Sequence, residues 1–170
     1  MPVLAGAKQA VTFPFRGQPK ARGFARDVLF AGARVVTGDF TIPQNRYLSN
    51  STDQECVNLT KKHGLPTDPV VLESGTKAYW LGPKNAEKVL LYFHGGGYIM
   101  AATRGHVEWA YNLTHDMAKK HSISTLFLAY TLAPEAQYPT QLQQAAEMLH
   151  YLIEIEGRKP SDVSRNQASD

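Results

Sequence analysis

The chain has 170 residues, of which 43% are hydrophobic, 19% are charged and 10% are aromatic. This length suits one ordinary domain, and the hydrophobic content excludes a wholly disordered protein. No run approaches the roughly 18 consecutive apolar residues of a membrane span, and the N-terminus lacks the apolar core of a secretion signal. Cys56 is the only cysteine, which excludes an intramolecular disulfide and a cysteine-based zinc site. These features favour a cytoplasmic location.

The net charge of +3 is unevenly distributed along the chain. Residues 1–64 hold nine Lys and Arg against four Asp and Glu, a net of +5, whereas residues 65–170 hold nine against eleven, a net of −2. Basic residues flank an apolar pattern that predicts a helix near residues 22–37. Two interpretations stay open: a helix docked on its own domain, and a basic amphipathic helix in contact with an anionic membrane surface. Nucleic-acid binding is not predicted, since no reader motif is present.

The first 66 residues have a helical pattern around a turn. An irregular start precedes the first helix, and a Pro/Asn/Ser-rich turn region from Ile42 to Ser51 follows it. A second helix opens near Ser51 or Thr52, where Thr52 and Glu55 have capping-box spacing, and it stops before Pro66. We therefore expect residues 1–66 to form a helical N-terminal cap or extension.

From Pro69 onward the pattern changes to strands. Val70–Leu72 and Lys77–Leu81 flank a Ser-Gly turn, which predicts a β-hairpin. Val89–Phe93 is continuously apolar, as in a central strand that is covered on both faces.

Helices and strands then alternate. A helical pattern over residues 104–120 separates Val89–Phe93 from a second apolar run, Thr125–Tyr130, which predicts a βαβ unit with parallel strands. Another helix opens at Pro139 and ends at Gly157. Its predicted core-facing stripe is Leu142, Ala145, Ala146, Leu149, Leu152 and Ile153. The predicted fold class is α/β.

A Gly-rich loop, His94-Gly95-Gly96-Gly97-Tyr98, directly follows the first apolar strand. Three successive glycines are conformationally costly, so they need a reason. Nucleotide binding has weak support, because Met100 stands where G-x-G-x-x-G needs its third glycine and no Gly-Lys pair is present for a Walker A loop. An oxyanion hole fits better, since backbone N–H groups without nearby Cβ atoms can closely approach a carbonyl oxygen. The alternative is a simple tight turn.

A second motif, Tyr130-Thr-Leu-Ala-Pro-Glu135, follows the next strand. With both motifs, the segment from about Pro69 to Asp162 resembles the hormone-sensitive-lipase-like group of α/β hydrolases, α/β hydrolase fold-3, and especially its fungal members. The resemblance implies the N-terminal part of an α/β-hydrolase fold with an incomplete sheet and a helical N-terminal cap. It also implies hydrolysis of a small-molecule carboxylic ester without a cofactor or metal.

The resemblance also implies roles for the loop residues. By position, Gly96 and Gly97 are the predicted oxyanion donors, Gly95 shapes the turn, and His94 supports the loop. Tyr98 is the predicted substrate contact.

The rest of the catalytic machinery of that family is absent from the sequence. The family continues through a further strand into a G-D-S-A-G turn with the nucleophilic serine, and later supplies an Asp and a His. No serine here lies in G-x-S-x-G, and a polar sequence follows Val163. We therefore expect a truncated chain that is inactive alone: residues 1–66 as cap, 67–163 as the first half of the hydrolase domain, and 164–170 as a divergent polar tail.

Truncation has consequences that stay open at this point. The strand at residues 125–130 is expected to have an exposed edge. The missing C-terminal half could be supplied in trans, or the chain could be a non-catalytic truncated product or a binding protein.

Overall fold

Two units, divided between Leu48 and Ser49, make up the computed structural model, which describes residues 24–38 and 41–165. The first unit contains helices α1 (Phe24–Gly38) and α2 (Ile42–Leu48). Helix α1 agrees with the helix predicted near residues 22–37, and its contact with a membrane surface stays a prediction. The predicted irregular start lies outside the described residues. Of the helices in the two described ranges, none has the length and apolar character needed to cross a bilayer.

Helix α2 corrects the interpretation of residues 42–51 as a turn region. The N–H and hydroxyl of Thr41 donate to Gln44 Oε1 at 2.9 and 3.0 Å, which pairs a backbone donor at the start of the helix. Pro43 stands in the first turn, where the N–H that proline lacks would have no helical acceptor. The turn-forming residues therefore start a helix here.

The second unit opens with helix α3 (Thr52–Lys62), as predicted, but its capping box lies one residue earlier than the Thr52/Glu55 pair. Ser51 Oγ accepts from the Gln54 N–H at 3.2 Å, and Gln54 Oε1 accepts from the Ser51 N–H at 2.8 Å. The side chain of Thr52 is buried instead. It is therefore available for a contact outside its own helix.

Five strands form one sheet with the order β1-β2-β4-β3-β5. Strands β1, β2 and β4 pair antiparallel, whereas β4, β3 and β5 pair parallel. The crossover from β3 to β4 contains helix α4 (Arg104–Ala118). The predicted hairpin and parallel βαβ unit are both confirmed, as is the α/β fold class. The strand bounds are Val70–Val71, Lys77–Trp80, Lys88–Tyr92, Ile123–Ala129 and Val163–Arg165 for β1 to β5.

Helices cover both faces of the sheet. Helix α5 (Thr140–His150), which continues as a π-helical turn over Tyr151–Ile155, packs on one face through Met148 and Leu152. Helices α3 and α4 pack on the other face. Residues 123–128 of β4 are all buried, so their continuous apolar character reflects burial on both sides. The core residues of the second face include Cys56, Leu59, Tyr79, Tyr92, Val107, Ala110 and Phe127.

The expected exposed edge at residues 125–130 is wrong. Strand β4 lies between β2 and β3, and the edge on the β3 side is β5. Ser164 and Arg165 pair with Leu90 and Leu91, so two residues of the predicted polar tail belong to the sheet. A strand of three residues at an edge needs little apolar sequence, which explains why composition did not reveal it. The proposed domain division at residues 66 and 163 stays a prediction.

Helix α5 is confirmed, but its buried face is not the predicted apolar stripe. Leu142 and Leu149 are 59% and 40% exposed. Each buried residue directly precedes a residue of the predicted stripe. An offset of one residue corresponds to a rotation of about 100° around the helix axis. The buried residues are Gln141, Gln144, Met148 and Leu152.

This rotation predicts unequal effects of two truncations on the same helix. We expect Met148→Ala to lower the free energy of unfolding by about 2–5 kcal/mol, because it leaves a cavity in the core. Leu142→Ala should cost less than about 1 kcal/mol, because this side chain is mostly exposed. Urea unfolding followed by circular dichroism measures both. A larger loss of unfolding free energy in Leu142→Ala than in Met148→Ala would indicate that the stripe predicted from the sequence is the buried face.

Candidate functional site

The two motifs lie together at the carboxyl ends of two parallel strands of the sheet. The Gly-rich loop follows β3 and the Tyr130–Glu135 turn follows β4, and these strands are parallel neighbours. The Tyr130 hydroxyl donates to the His94 carbonyl at 2.6 Å, and the Ala133 N–H donates to the Tyr98 carbonyl at 2.7 Å. The turn therefore supports the loop at both of its ends.

His94 is a buried, uncharged residue at the start of the loop. Burial of the ring lowers the pKa of His94 from 6.5 to about 4, against the opposing effect of its hydrogen bond to the Gly95 carbonyl. The ring stacks on Tyr130 with centroids 4.2 Å apart and planes 10° from parallel. At neutral pH the side chain is therefore a fixed dipole and not a cation.

The neighbours of the ring identify its tautomer. Nδ1 lies 2.8 Å from the Gly95 carbonyl oxygen, which can only accept, so Nδ1 carries the hydrogen. Nε2 is then an acceptor, and Thr52 Oγ1 lies 3.5 Å from it. Thr52 Oγ1 also accepts from the Ala102 N–H at 3.0 Å, so its own hydrogen is available to Nε2. His94 thus links helix α3 to the loop. Its role as a support of the loop stays a prediction.

The loop backbone explains two of the three glycines. Gly96 has φ +122°, and a Cβ there would lie 2.8 Å from the Met100 carbonyl oxygen, so a side chain is sterically excluded. Gly97 has φ +59°, and its Cβ would enter open space. Tyr98 adopts the same left-handed conformation with φ +59°. The Gly96 carbonyl accepts from the N–H groups of Ile99 and Met100 at 3.1 and 3.0 Å, which closes the turn.

The amide hydrogens of Gly96 and Gly97 have no protein acceptor within residues 41–165. Both glycines are exposed and line an open cleft of about 780 Å³. Two unpaired N–H groups on a cleft wall can bind a carbonyl oxygen that gains negative charge. The assignment of these two residues as oxyanion donors stays a prediction.

The cleft has a polar rim and an apolar floor. Gly95, Tyr98 and Tyr130 also line the cleft, and Tyr98 is 52% exposed. No group of three His, Cys, Asp or Glu side chains that could hold a metal ion occurs within the described ranges. The apolar floor includes Leu91, Phe93, Leu142, Ala145, Ala146, Leu149, Ile153 and Val163, and thus most of the stripe predicted for the core.

Sequence reasoning missed the polar residues that support the loop. Thr52, Gln141 and Gln144 are all about 95% buried and hydrogen-bonded around the two motifs. The available signal was the pair of glutamines three residues apart, which lie on one side of the same helix. Their burial depends on the rotation of α5, which composition does not reveal.

Comparison with known proteins agrees with this geometry. Residues 90–166 match the family described as alpha/beta hydrolase fold. Over this segment the chain is similar to α/β hydrolases and has their fold. The chain is similar to an esterase of Gibberella moniliformis (strain M3125 / FGSC 7600), with 32% identity over 65 residues, or 38% of this chain and 19% of the relative. An ethyl acetate hydrolase of Pseudomonas putida is 32% identical over 72 residues, or 42% of this chain and 21% of the relative.

Solved α/β-hydrolase structures give the same result. An esterase from the bacterial hormone-sensitive lipase (HSL) family superposes with a TM-score of 0.52 and 26% identity, over 78% of this chain and 42% of that chain. The chain thus covers about a fifth of the two curated relatives and less than half of this structure. The resemblance to the hormone-sensitive-lipase-like group, with fungal relatives, is confirmed.

Burial of neutral His94 predicts a pH dependence of stability. The unfolded imidazole takes up a proton near pH 6.5, whereas the folded one does so only near pH 4. The free energy of unfolding should therefore fall by about 3 kcal/mol as the pH drops from above 6.5 to below 4. We expect this contribution to disappear in His94→Gln and to persist in His121→Gln, a change at an exposed residue. Urea unfolding between pH 4 and pH 8 measures the slope, and equal slopes for wild type and His94→Gln would contradict the assignment.

Proposed function

We propose that this chain carries the oxyanion-hole part of a carboxylic ester hydrolase. The observation that carries the proposal is the pair of unpaired amides of Gly96 and Gly97 on the cleft wall. Attack on an ester carbonyl converts its oxygen to an anion, and each preorganised N–H donor stabilises that anion by about 3 kcal/mol. In this proposal Gly95 shapes the turn, His94 holds it, and the exposed ring of Tyr98 contacts the substrate.

The attacking group has to come from outside these 170 residues. No serine of the chain lies in G-x-S-x-G, the turn that presents the nucleophile in α/β hydrolases. We propose that a serine of that kind, activated by a histidine and an acidic residue, attacks the acyl carbon while the two glycine amides hold the oxygen. The chain by itself would then bind the carbonyl without cleaving the ester.

The surface that would receive this segment is next to the loop. The cleft that Gly96 and Gly97 line is also lined by the apolar residues named above and by Val163, Ser164 and Arg165 of the edge strand β5. Exposed Leu142 and Leu149 favour coverage by further polypeptide, since large exposed apolar patches mark interaction surfaces. We propose that the C-terminal half of a hydrolase fold covers it, either as a continuation of this chain or in trans.

A second candidate is a non-catalytic binding protein. The same exposed apolar floor favours it, since an apolar ligand or partner chain could occupy that surface without any reaction. The two candidates differ in what they predict for a chain that has been completed by a nucleophile-bearing segment.

The first experiment uses the 170-residue chain alone. We expect no hydrolysis of p-nitrophenyl acetate and no labelling by a fluorophosphonate probe, because no serine of the sequence lies in G-x-S-x-G. Turnover that the probe abolishes would show that a nucleophile is present after all.

The second experiment uses a chimera in which residues 1–165 replace the corresponding part of the Pseudomonas putida ethyl acetate hydrolase. We expect this chimera to hydrolyse p-nitrophenyl acetate. Gly97→Ala should lower kcat/KM by at least about tenfold, because the added Cβ obstructs the approach of the ester oxygen to the amides.

The matched control is Gly75→Ala. Gly75 has a similar left-handed φ of +79° and open space at its Cβ, but it does not line the cleft. Both variants should therefore lose similar stability, while only the change at Gly97 lowers turnover. Equal activity of the two variants would count against an oxyanion hole, and a well-folded but inactive chimera would favour the binding protein.

A further inference from the structure

Two buried glutamines of helix α5 hold the turn that follows β4. Gln144 Oε1 accepts from the Thr131 N–H at 2.9 Å, and Gln144 Nε2 donates to Thr131 Oγ1 at 2.8 Å. Gln141 Nε2 donates to the Thr131 carbonyl at 2.9 Å and to the Ala136 carbonyl at 3.3 Å. The two glutamines therefore pair the backbone N–H, the carbonyl and the hydroxyl of Thr131.

The turn after β4 in turn binds the Gly-rich loop. Ala133, two residues after Thr131, donates its N–H to the Tyr98 carbonyl at 2.7 Å. Tyr98 has φ +59°, a conformation that residues with a Cβ rarely adopt. Its ring lies edge-on to Tyr130, with centroids 5.7 Å apart. The bond from Ala133 thus stabilises a strained residue directly beside Gly96 and Gly97.

We propose that Gln144 and Gln141 are positioning residues for the loop. By fixing Thr131, they place the Ala133 N–H on the Tyr98 carbonyl and keep the amides of Gly96 and Gly97 unpaired on the cleft wall. The relevance to ester hydrolysis rests on the proposed function, whereas the positioning itself is a property of the described residues.

Burial makes this role specific to the two glutamines. Gln141 and Gln144 are each 5% exposed, so loss of either side chain leaves polar groups of the turn without a partner or admits water. Gln143 on the same helix is exposed and makes no contact with the turn through its side chain. Helix packing alone would have favoured apolar residues at these two positions.

The same helix offers a matched control. Glu147 accepts from the N–H of Ser74 at 2.7 Å and from its hydroxyl at 2.5 Å, so it pairs the backbone N–H and the hydroxyl of one residue, as Gln144 does for Thr131. Ser74 lies in the turn between β1 and β2, and within residues 41–165 it makes no hydrogen bond to the Gly-rich loop or to Thr131. Glu147→Ala therefore removes a comparable pair of bonds from α5 without touching the turn after β4.

The test is NMR spectroscopy of the ¹⁵N-labelled 170-residue chain. In Gln144→Ala we expect the amide hydrogen exchange of Ala133 to increase at least about tenfold and the amide signals of Gly96, Gly97 and Tyr98 to shift. Glu147→Ala should leave these four amides unchanged and shift Ser74 instead. In Gln144→Glu the carboxylate can accept from both the N–H and the hydroxyl of Thr131, so the loop signals should return toward wild type at neutral pH.

Two results would overturn the proposal. One is unchanged loop amides in Gln144→Ala, and the other is an equal rise in exchange across β3 and β4 in both alanine variants, which would indicate general destabilisation. Should Gln144→Ala not fold, Thr131→Val removes only the hydroxyl that Gln144 binds and should shift the same loop amides by less; no shift would overturn the proposal. Because no turnover is measured, an inactive chimera would contradict the proposed function and leave this inference standing.

Discussion

The parallel pairing of β3 with β4 is the constraint on which the candidate site depends. Parallel neighbours end at the same edge of a sheet, so the segments that follow them meet. One segment is the Gly-rich loop and the other is the turn that supports it, and neither has a regular backbone pattern of its own. Two hydrogen bonds join them: the Tyr130 hydroxyl donates to the His94 carbonyl, and the Ala133 N–H donates to the Tyr98 carbonyl. The position of the loop therefore depends on the pairing of the two strands.

Support for the loop comes from both faces of the sheet. On one face, Thr52 of α3 contacts His94 and Ala102, and on the other, Gln141 and Gln144 of α5 hold the turn. Each of these side chains is buried and polar, which is costly unless every partner is in place. The arrangement thus anchors the exposed loop to the buried core at His94 and through the turn after β4.

Much of the fold could be predicted from the sequence, because its main elements have strong local signals. The continuous apolar runs at 89–93 and 125–130 indicated central parallel strands, and the spacing between them indicated a crossover helix. The Gly-rich loop could be found because glycine runs are costly and its position after a strand is informative. The family match and the structure agree on these elements.

The remaining features depend on tertiary contacts that leave weak local signals. The rotation of α5 accompanies the bonds between two glutamines and Thr131, whereas hydrophobicity alone favours a face about 100° away. Strand β5 has three residues and exists only through pairing with β3. Gln44 caps the start of α2, where the turn-forming residues predicted an irregular segment. Gln54 completes the capping box of α3, where the sequence predicted the pair Thr52 and Glu55.

The neutral state of His94 determines what kind of electrostatic field surrounds the loop. A ring that stays unprotonated above about pH 4 contributes no formal positive charge beside Gly96 and Gly97. His94 would therefore act on an anion at this loop only as a neutral dipole, whose strength does not vary with proton concentration in that range. Above about pH 4, His94 would therefore add no titration of its own to the affinity of such a site for an oxyanion.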